Sequence, residues 1–168
     1  MKKPVVFYSE GVRLVGDVYY PDGLRHGEKR AGIVLCHGYT GVKDLYLPDN
    51  ARVLNEAGYV AMTFDYKGWG ESAGSRSRLA PYSRVADVQA ALTFLGTLPE
   101  VDAERLGIYG TSYGGATVVW VGAIDQRVKC VRLCRFIKLG LGECLRKVDA
   151  TSHSSRQRNC DQCRISAT

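Results

Sequence analysis

Gly110-Thr111-Ser112-Tyr113-Gly114 constrains this chain more than any other segment, because of what flanks it. The apolar run 106–109 leads in, and the helix-compatible run 116–123 leads out. A G-x-S-x-G pentapeptide between strand and helix predicts a sharp turn that holds its serine in a strained backbone conformation. Side chains two positions to either side would collide with the neighbouring strand and helix, so Gly110 and Gly114 are the residues this geometry requires. The turn lifts Ser112 Oγ above the sheet and aims the first N–H groups of the following helix at the same point. A candidate nucleophile thereby stands beside a site for negative charge.

The rest of the chain up to about residue 131 supplies the sheet such a turn needs. Segments 5–9 and 12–20 are rich in Val and Tyr and read as two β segments joined at Glu10-Gly11, the second closed by Pro21-Asp22-Gly23. Residues 32–36 form a short continuous apolar run ending at His37-Gly38, as expected of a parallel strand covered on both faces. Residues 47–57 read as a helix with Leu47, Ala51, Leu54 and Ala57 on one face, stopped by Gly58. Residues 59–64 read as the next buried strand, ending at Asp65. In the helix predicted over 82–95, Val85, Val88, Leu92 and Leu95 share a stripe; Arg84, Asp87, Gln89 and Thr93 are placed outside it. Residues 99–104 are read as a connection, and 128–133 as the start of one further strand. Strands alternating with helices at this spacing predict an α/β fold: a mostly parallel twisted sheet with helices on both faces.

Composition divides the chain. Residues 1–130 hold 15 Lys and Arg against 14 Asp and Glu, whereas residues 131–168 hold 8 against 3. Four of the six cysteines and only one aromatic residue, Phe136, fall in that last part. The expected organisation is a globular part over 1–131 and an atypical basic, Cys-, Ser- and Arg-rich tail over 132–168, with 151–168 reading as disordered. No apolar run approaches the roughly 18–20 residues that span a bilayer. Met1-Lys2-Lys3-Pro4 has no apolar segment behind it, so no signal peptide is read and a cytoplasmic location is expected.

Three motifs in order carry a family resemblance: His37-Gly38-Tyr39 after one strand, Asp65-Tyr66-Lys67-Gly68-Trp69-Gly70-Glu71-Ser72 after the next, and the serine turn after a third. With them the chain resembles the α/β-hydrolase superfamily, and within it the X-prolyl dipeptidyl peptidase-like and dienelactone hydrolase-like branches. The segment 11–21 is similar to the first hairpin of those enzymes. The resemblance covers roughly residues 5–131 and implies Ser112 as nucleophile, with the backbone N–H groups of Tyr39 and Tyr113 as the oxyanion hole. It implies that His37 shapes its loop rather than acting as base. Asp65 is read as a turn anchor for backbone N–H groups.

A serine hydroxyl needs a base, and the base an orienting acid. In this family both follow the serine in the chain. The only later histidine is His153, with Asp149 four residues before it; both lie in the polar tail and read as solvated residues. The expectation is therefore an α/β-hydrolase-type fold incomplete at its C-terminal side. The tail is attributed to a reading-frame shift or a truncated gene, and a last strand is left as an open edge that invites self-association. The resemblance implies a serine hydrolase acting on an ester, amide or peptide bond of a small-molecule or peptide substrate through an acyl-enzyme, truncated and weakly active or inactive. Two rival readings stand beside it. One is a non-catalytic remnant that needs a partner; the other is a basic tail that binds nucleic acid, or zinc through Cys130, Cys134, Cys160 and Cys163. No cofactor, metal, nucleic acid or membrane is expected in the leading reading, because acyl transfer to water needs none.

Overall fold

The computed structural model describes residues 1–134 and the backbone of Cys144–Leu145. The chain opens with β1 (Lys2–Ser9) and β2 (Val12–Tyr19), an antiparallel pair in which Ser9 faces Val12. Glu10 and Gly11 both take positive φ, the two-residue turn whose twist matches that of the flanking strands. There follow β3 (Arg30–Cys36), α1 (Leu47–Glu56), β4 (Val60–Phe64) and α2 (Pro81–Gly96). The last elements are β5 (Val101–Thr111), α3 (Tyr113–Ile124), β6 (Val128–Cys134) and the short β7 (Cys144–Leu145).

The sheet runs in the order β1-β2-β4-β3-β5-β6-β7. Its four central strands, β4, β3, β5 and β6, are parallel; β2 pairs antiparallel with β4, β1 antiparallel with β2, and β7 antiparallel with β6, so the sheet is mixed. The outer edge of β6 pairs with β7 at Val131 and Arg132. Strand β6 crosses the change in composition near residue 131 and continues to Cys134.

Period-two alternation sorts the strand residues onto two faces. Val34, Cys36, Met62, Phe64 and Ile108 pack with Val85, Val88 and Leu92 of α2 and Val118 and Val121 of α3. Leu35 and Ala61 point the other way, against Leu47 and Ala51 of α1. Helices thus cover both faces, as the hydrophobic pattern predicts.

Two expectations need correction. The segment 99–104 is not wholly a connection: β5 begins at Val101, and Val101 and Asp102 pair with Arg30 and Ala31 before a register shift. A bulge of this kind breaks alternation, which is why the pattern hides the early start. Arg84 and Asp87, placed outside the apolar stripe of α2, are also buried.

Candidate active site

Strand β5 carries the chain to Ser112 through a buried apolar stretch, and α3 begins at the very next residue. Ser112 has φ +51° and ψ −120°, a conformation that costs a non-glycine residue roughly 1–3 kcal/mol and persists only where packing imposes it. The packing is explicit. A Cβ on Gly110 would lie 2.4 Å from Gly114 O, and a Cβ on Gly114 would lie 2.4 Å from Cys36 O and 2.5 Å from His37 O. Ser112 N–H donates to Cys134 O (3.2 Å), while Ser112 O accepts from Gly115 N–H (2.9 Å) and starts the helix. The Ser112 side chain is exposed.

The loop after β3 meets this turn. A Cβ on Gly38 would stand 3.3 Å from Ser112 Cβ. Gly38 N–H donates to Tyr46 Oη (2.9 Å), and that hydroxyl is hydrogen-bonded to Thr111 Oγ1, so the loop and the end of β5 are tied through one tyrosine. The rings of Tyr39 and Tyr113 lie 6.5 Å apart, and Trp69 packs edge-on to Tyr39 at 5.6 Å. Among the described residues neither Tyr39 N–H nor Tyr113 N–H has a hydrogen-bond acceptor. The structure therefore brings together all three residues singled out in the sequence: Ser112, Tyr39 and Tyr113.

His37 is fully buried below this loop. Its Nδ1 lies 2.8 Å from Gly38 O, and since a carbonyl only accepts, the proton sits on Nδ1. Burial, with the charge of Arg84 acting in the same direction, pulls its pKa down to about 4, so the ring is neutral at neutral pH. It packs edge-on to Tyr66, with ring centroids 4.8 Å apart. The buried, neutral ring is thus held between Gly38 O and the Tyr66 ring.

Asp65 anchors turns, as read from its motif. Its Oδ1 accepts from Lys43 N–H (2.7 Å) and its Oδ2 from Glu71 N–H (3.0 Å). Burial pushes its pKa up, against these two bonds. A Cβ on Gly70 would fall 2.1 Å from Asp65 Oδ2, so that glycine makes room for the carboxylate. Ser72 Oγ donates to Asp65 O (2.6 Å) and accepts from Val15 N–H (2.9 Å), binding the turn to β2. The result is to hold Trp69 beside Tyr39.

Sequence reasoning missed Arg84, Asp87 and Tyr46. Arg84 Nη2 donates to His37 O (2.9 Å), and Asp87 receives Lys67 N–H (3.0 Å) and pairs with Lys67 Nζ (3.2 Å). A signal existed for the first: Arg84, Val88, Ala91 and Leu95 lie at helical spacing and all are buried. No group of three His, Cys, Asp or Glu among the described residues is arranged to hold a metal ion. Cys130 and Cys134 lie on β6; Cys160, Cys163, Asp149 and His153 fall outside the described residues. No helix among the described residues is long and apolar enough to cross a membrane.

A twisted sheet with this strand order, covered on both faces and carrying a serine on a strand-to-helix elbow, defines an α/β-hydrolase fold. Residues 27–134 match the model of the Hydrolase_4 family, described as serine aminopeptidase, S33, and the chain belongs to that family. An uncharacterized 31.7 kDa protein from the traX-finO intergenic region of Escherichia coli is 41% identical over 123 residues, covering 73% of this chain and 41% of that protein. The thiohydrolase aneE of Aspergillus aculeatus is 32% identical over 123 residues, covering 73% of this chain and 37% of that one. Among solved structures, the hypothetical protein PA2218 from Pseudomonas aeruginosa superimposes with a TM-score of 0.75 at 33% identity, covering 79% of this chain and 42% of that chain. The chain thus spans about two fifths of the length of the relatives it matches.

Proposed function

We propose that this chain carries the nucleophile and oxyanion hole of a serine hydrolase that works through an acyl-enzyme. The observation that carries the reading is Ser112 at φ +51°, exposed at the elbow, beside two tyrosine N–H groups that have no acceptor among the described residues. Ser112 Oγ attacks the carbonyl carbon of an ester, thioester, amide or peptide, and its proton passes to a base. Negative charge then gathers on the former carbonyl oxygen, where Tyr39 N–H and Tyr113 N–H donate to it, the second reinforced by the positive end of α3. Collapse of this intermediate expels the protonated leaving group and leaves an acyl-serine, which water hydrolyses.

Thioesters enter the list because a relative that is 32% identical over 123 aligned residues is named a thiohydrolase. Peptide substrates enter through the aminopeptidase description of the family. The similarity of segment 11–21 to the first hairpin of the X-prolyl dipeptidyl peptidase-like and dienelactone hydrolase-like enzymes supports a place near those branches.

The base and its acid belong, in this reading, to the part of the relatives that this chain does not span. Neither described histidine fits: His26 is exposed in the loop before β3, and His37 is buried and neutral. Loss of the base lowers kcat on the order of 10⁶ in a well-studied protease, so the chain alone is expected to be a very weak hydrolase. A fluorophosphonate probe tests this with imidazole added as a diffusible base. The expected result is slow labelling confined to Ser112, accelerated by imidazole and abolished in Ser112→Ala. Absence of labelling with imidazole present would remove the nucleophile assignment, and rapid labelling without it would show that a base is already in place.

A further inference from the structure

We propose that Arg84 is the positioning residue of the oxyanion hole, clamping the peptide units on both sides of Gly38 so that Tyr39 N–H faces Ser112. The proposal rests on the reading of Tyr39 N–H as an oxyanion donor. Arg84 enters in the first turn of α2, where its own N–H donates to Ala80 O (3.1 Å). Its side chain is only 3% exposed, deep enough that the guanidinium charge must be held by something. Part of the support is aromatic: Arg84 Cζ lies 3.6 Å from the centroid of the buried Tyr66 ring and 5.2 Å from that of Tyr113. The rest is directed at the loop. Nη2 donates to His37 O at 2.9 Å and approaches Gly38 O at 3.4 Å.

Peptide planarity turns these two contacts into control of the amides. The C=O of one residue and the N–H of the next belong to one trans unit and point in opposite directions. Holding His37 O toward Arg84 therefore points Gly38 N–H away from it, to Tyr46 Oη. Holding Gly38 O toward the same guanidinium points Tyr39 N–H away from it as well. His37 Nδ1–H and Gly41 N–H (3.4 Å) also donate to Gly38 O, but among the described residues only Arg84 reaches both carbonyls. A planar fork with fixed donors suits this task, and the flexible ammonium of a lysine does not. Removal of the guanidinium takes away the group that ties the two peptide units to each other and leaves each with weaker restraint, without touching the serine.

Hydrogen exchange and amide NMR on the full chain test the idea in Arg84→Met and Arg84→Lys. The Gly38 N–H exchange rate should rise at least tenfold in Arg84→Met and less in Arg84→Lys. The Tyr39 and Tyr113 amide resonances should shift in both variants, while exchange in β4 stays unchanged. If Arg84→Met does not fold, Arg84→Lys, which keeps charge and bulk, carries the comparison. Imidazole-assisted fluorophosphonate labelling of Ser112 should fall at least tenfold in Arg84→Met and recover in part in Arg84→Lys. Unchanged Gly38 exchange and Tyr39 shift, or exchange raised uniformly through the sheet, would overturn the proposal by reducing Arg84 to a packing residue. If Ser112 is not labelled even in the unaltered chain, the hydrolase reading fails, and the Gly38 and Tyr39 measurements still decide whether Arg84 holds the loop.

Discussion

Gly114 and Cys36 touch across the join between α3 and β3: a Cβ on Gly114 would fall 2.4 Å from the Cys36 carbonyl oxygen. Because that oxygen is backbone at the end of a buried strand, it has nowhere to yield. Gly114→Ala is therefore expected to destabilise the chain by about 3 kcal/mol, the upper part of the range for overpacked interiors. Urea unfolding measures this. The same substitution pushes α3 away from β3, so Ser112 labelling should fall even where the protein remains folded.

Ser112 itself stores strain. Its φ of +51° suits glycine, while its exposed hydroxyl makes no structural bond that substitution would break. Ser112→Gly should therefore be more stable than Ser112→Ala by about 1 kcal/mol, with both variants unlabelled by a fluorophosphonate. Equal thermal midpoints for the two would show that the backbone strain is absent in solution.

Acid should weaken the fold through His37. Its pKa is depressed from the ordinary 6.5 to about 4 in the folded chain, so between those values the unfolded state binds the extra proton. The stability linked to its neutral burial is complete above pH 6.5 and is lost as pH falls toward 4, by roughly 3 kcal/mol in all. His37→Asn, which can still donate to Gly38 O, should be less stable at pH 7 but flatter over this interval. Urea midpoints at pH 7, 5.5 and 4.5 make the comparison.

Buried and exposed ion pairs should respond differently. Lys43 Nζ lies 3.0 Å from Asp17 Oδ2 with both side chains nearly closed to water, and Asp44 and Glu71 also approach it. These partners raise its pKa against the opposing effect of burial. Asp17→Asn removes the buried partner and should cost about 3 kcal/mol. Asp49→Ala breaks the exposed 3.7 Å contact with Arg52 and removes the acidic residue of the first turn of α1, and should change stability by less than about 1 kcal/mol. Parallel urea titrations of the two variants check the contrast.

Much of the fold was legible because it follows short-range periodicity. The alternation through Val34, Leu35 and Cys36 assigns each residue to the correct face of the sheet, and the stripe of Val85, Val88, Leu92 and Leu95 identifies the buried side of α2. Asp65 was legible as a turn anchor because its motif supplies both the acceptor and the glycine that clears space for it. Arg84 and Asp87 were not, because a charge is assigned to solvent unless its partners are known. Those partners are the carbonyls of residues 37 and 38 and the side chain and N–H of Lys67, which the fold brings to them. The early start of β5 was hidden by a bulge whose cause lies in its pairing with Arg30 and Ala31.

By itself the sequence determined the elbow at Ser112. Glycines at 110 and 114 between an apolar strand and a helix admit few other conformations, and that restriction is local. Only the tertiary structure decided what surrounds the serine: Gly38 beside it, Tyr46 joining the loop to Thr111, and a buried arginine behind the loop. Such contacts depend on how strands remote in the chain are ordered within one sheet, and no residue spacing encodes that order. A cation can stay out of water there because two carbonyls and an aromatic face converge on it, a convergence that exists only once the sheet has formed.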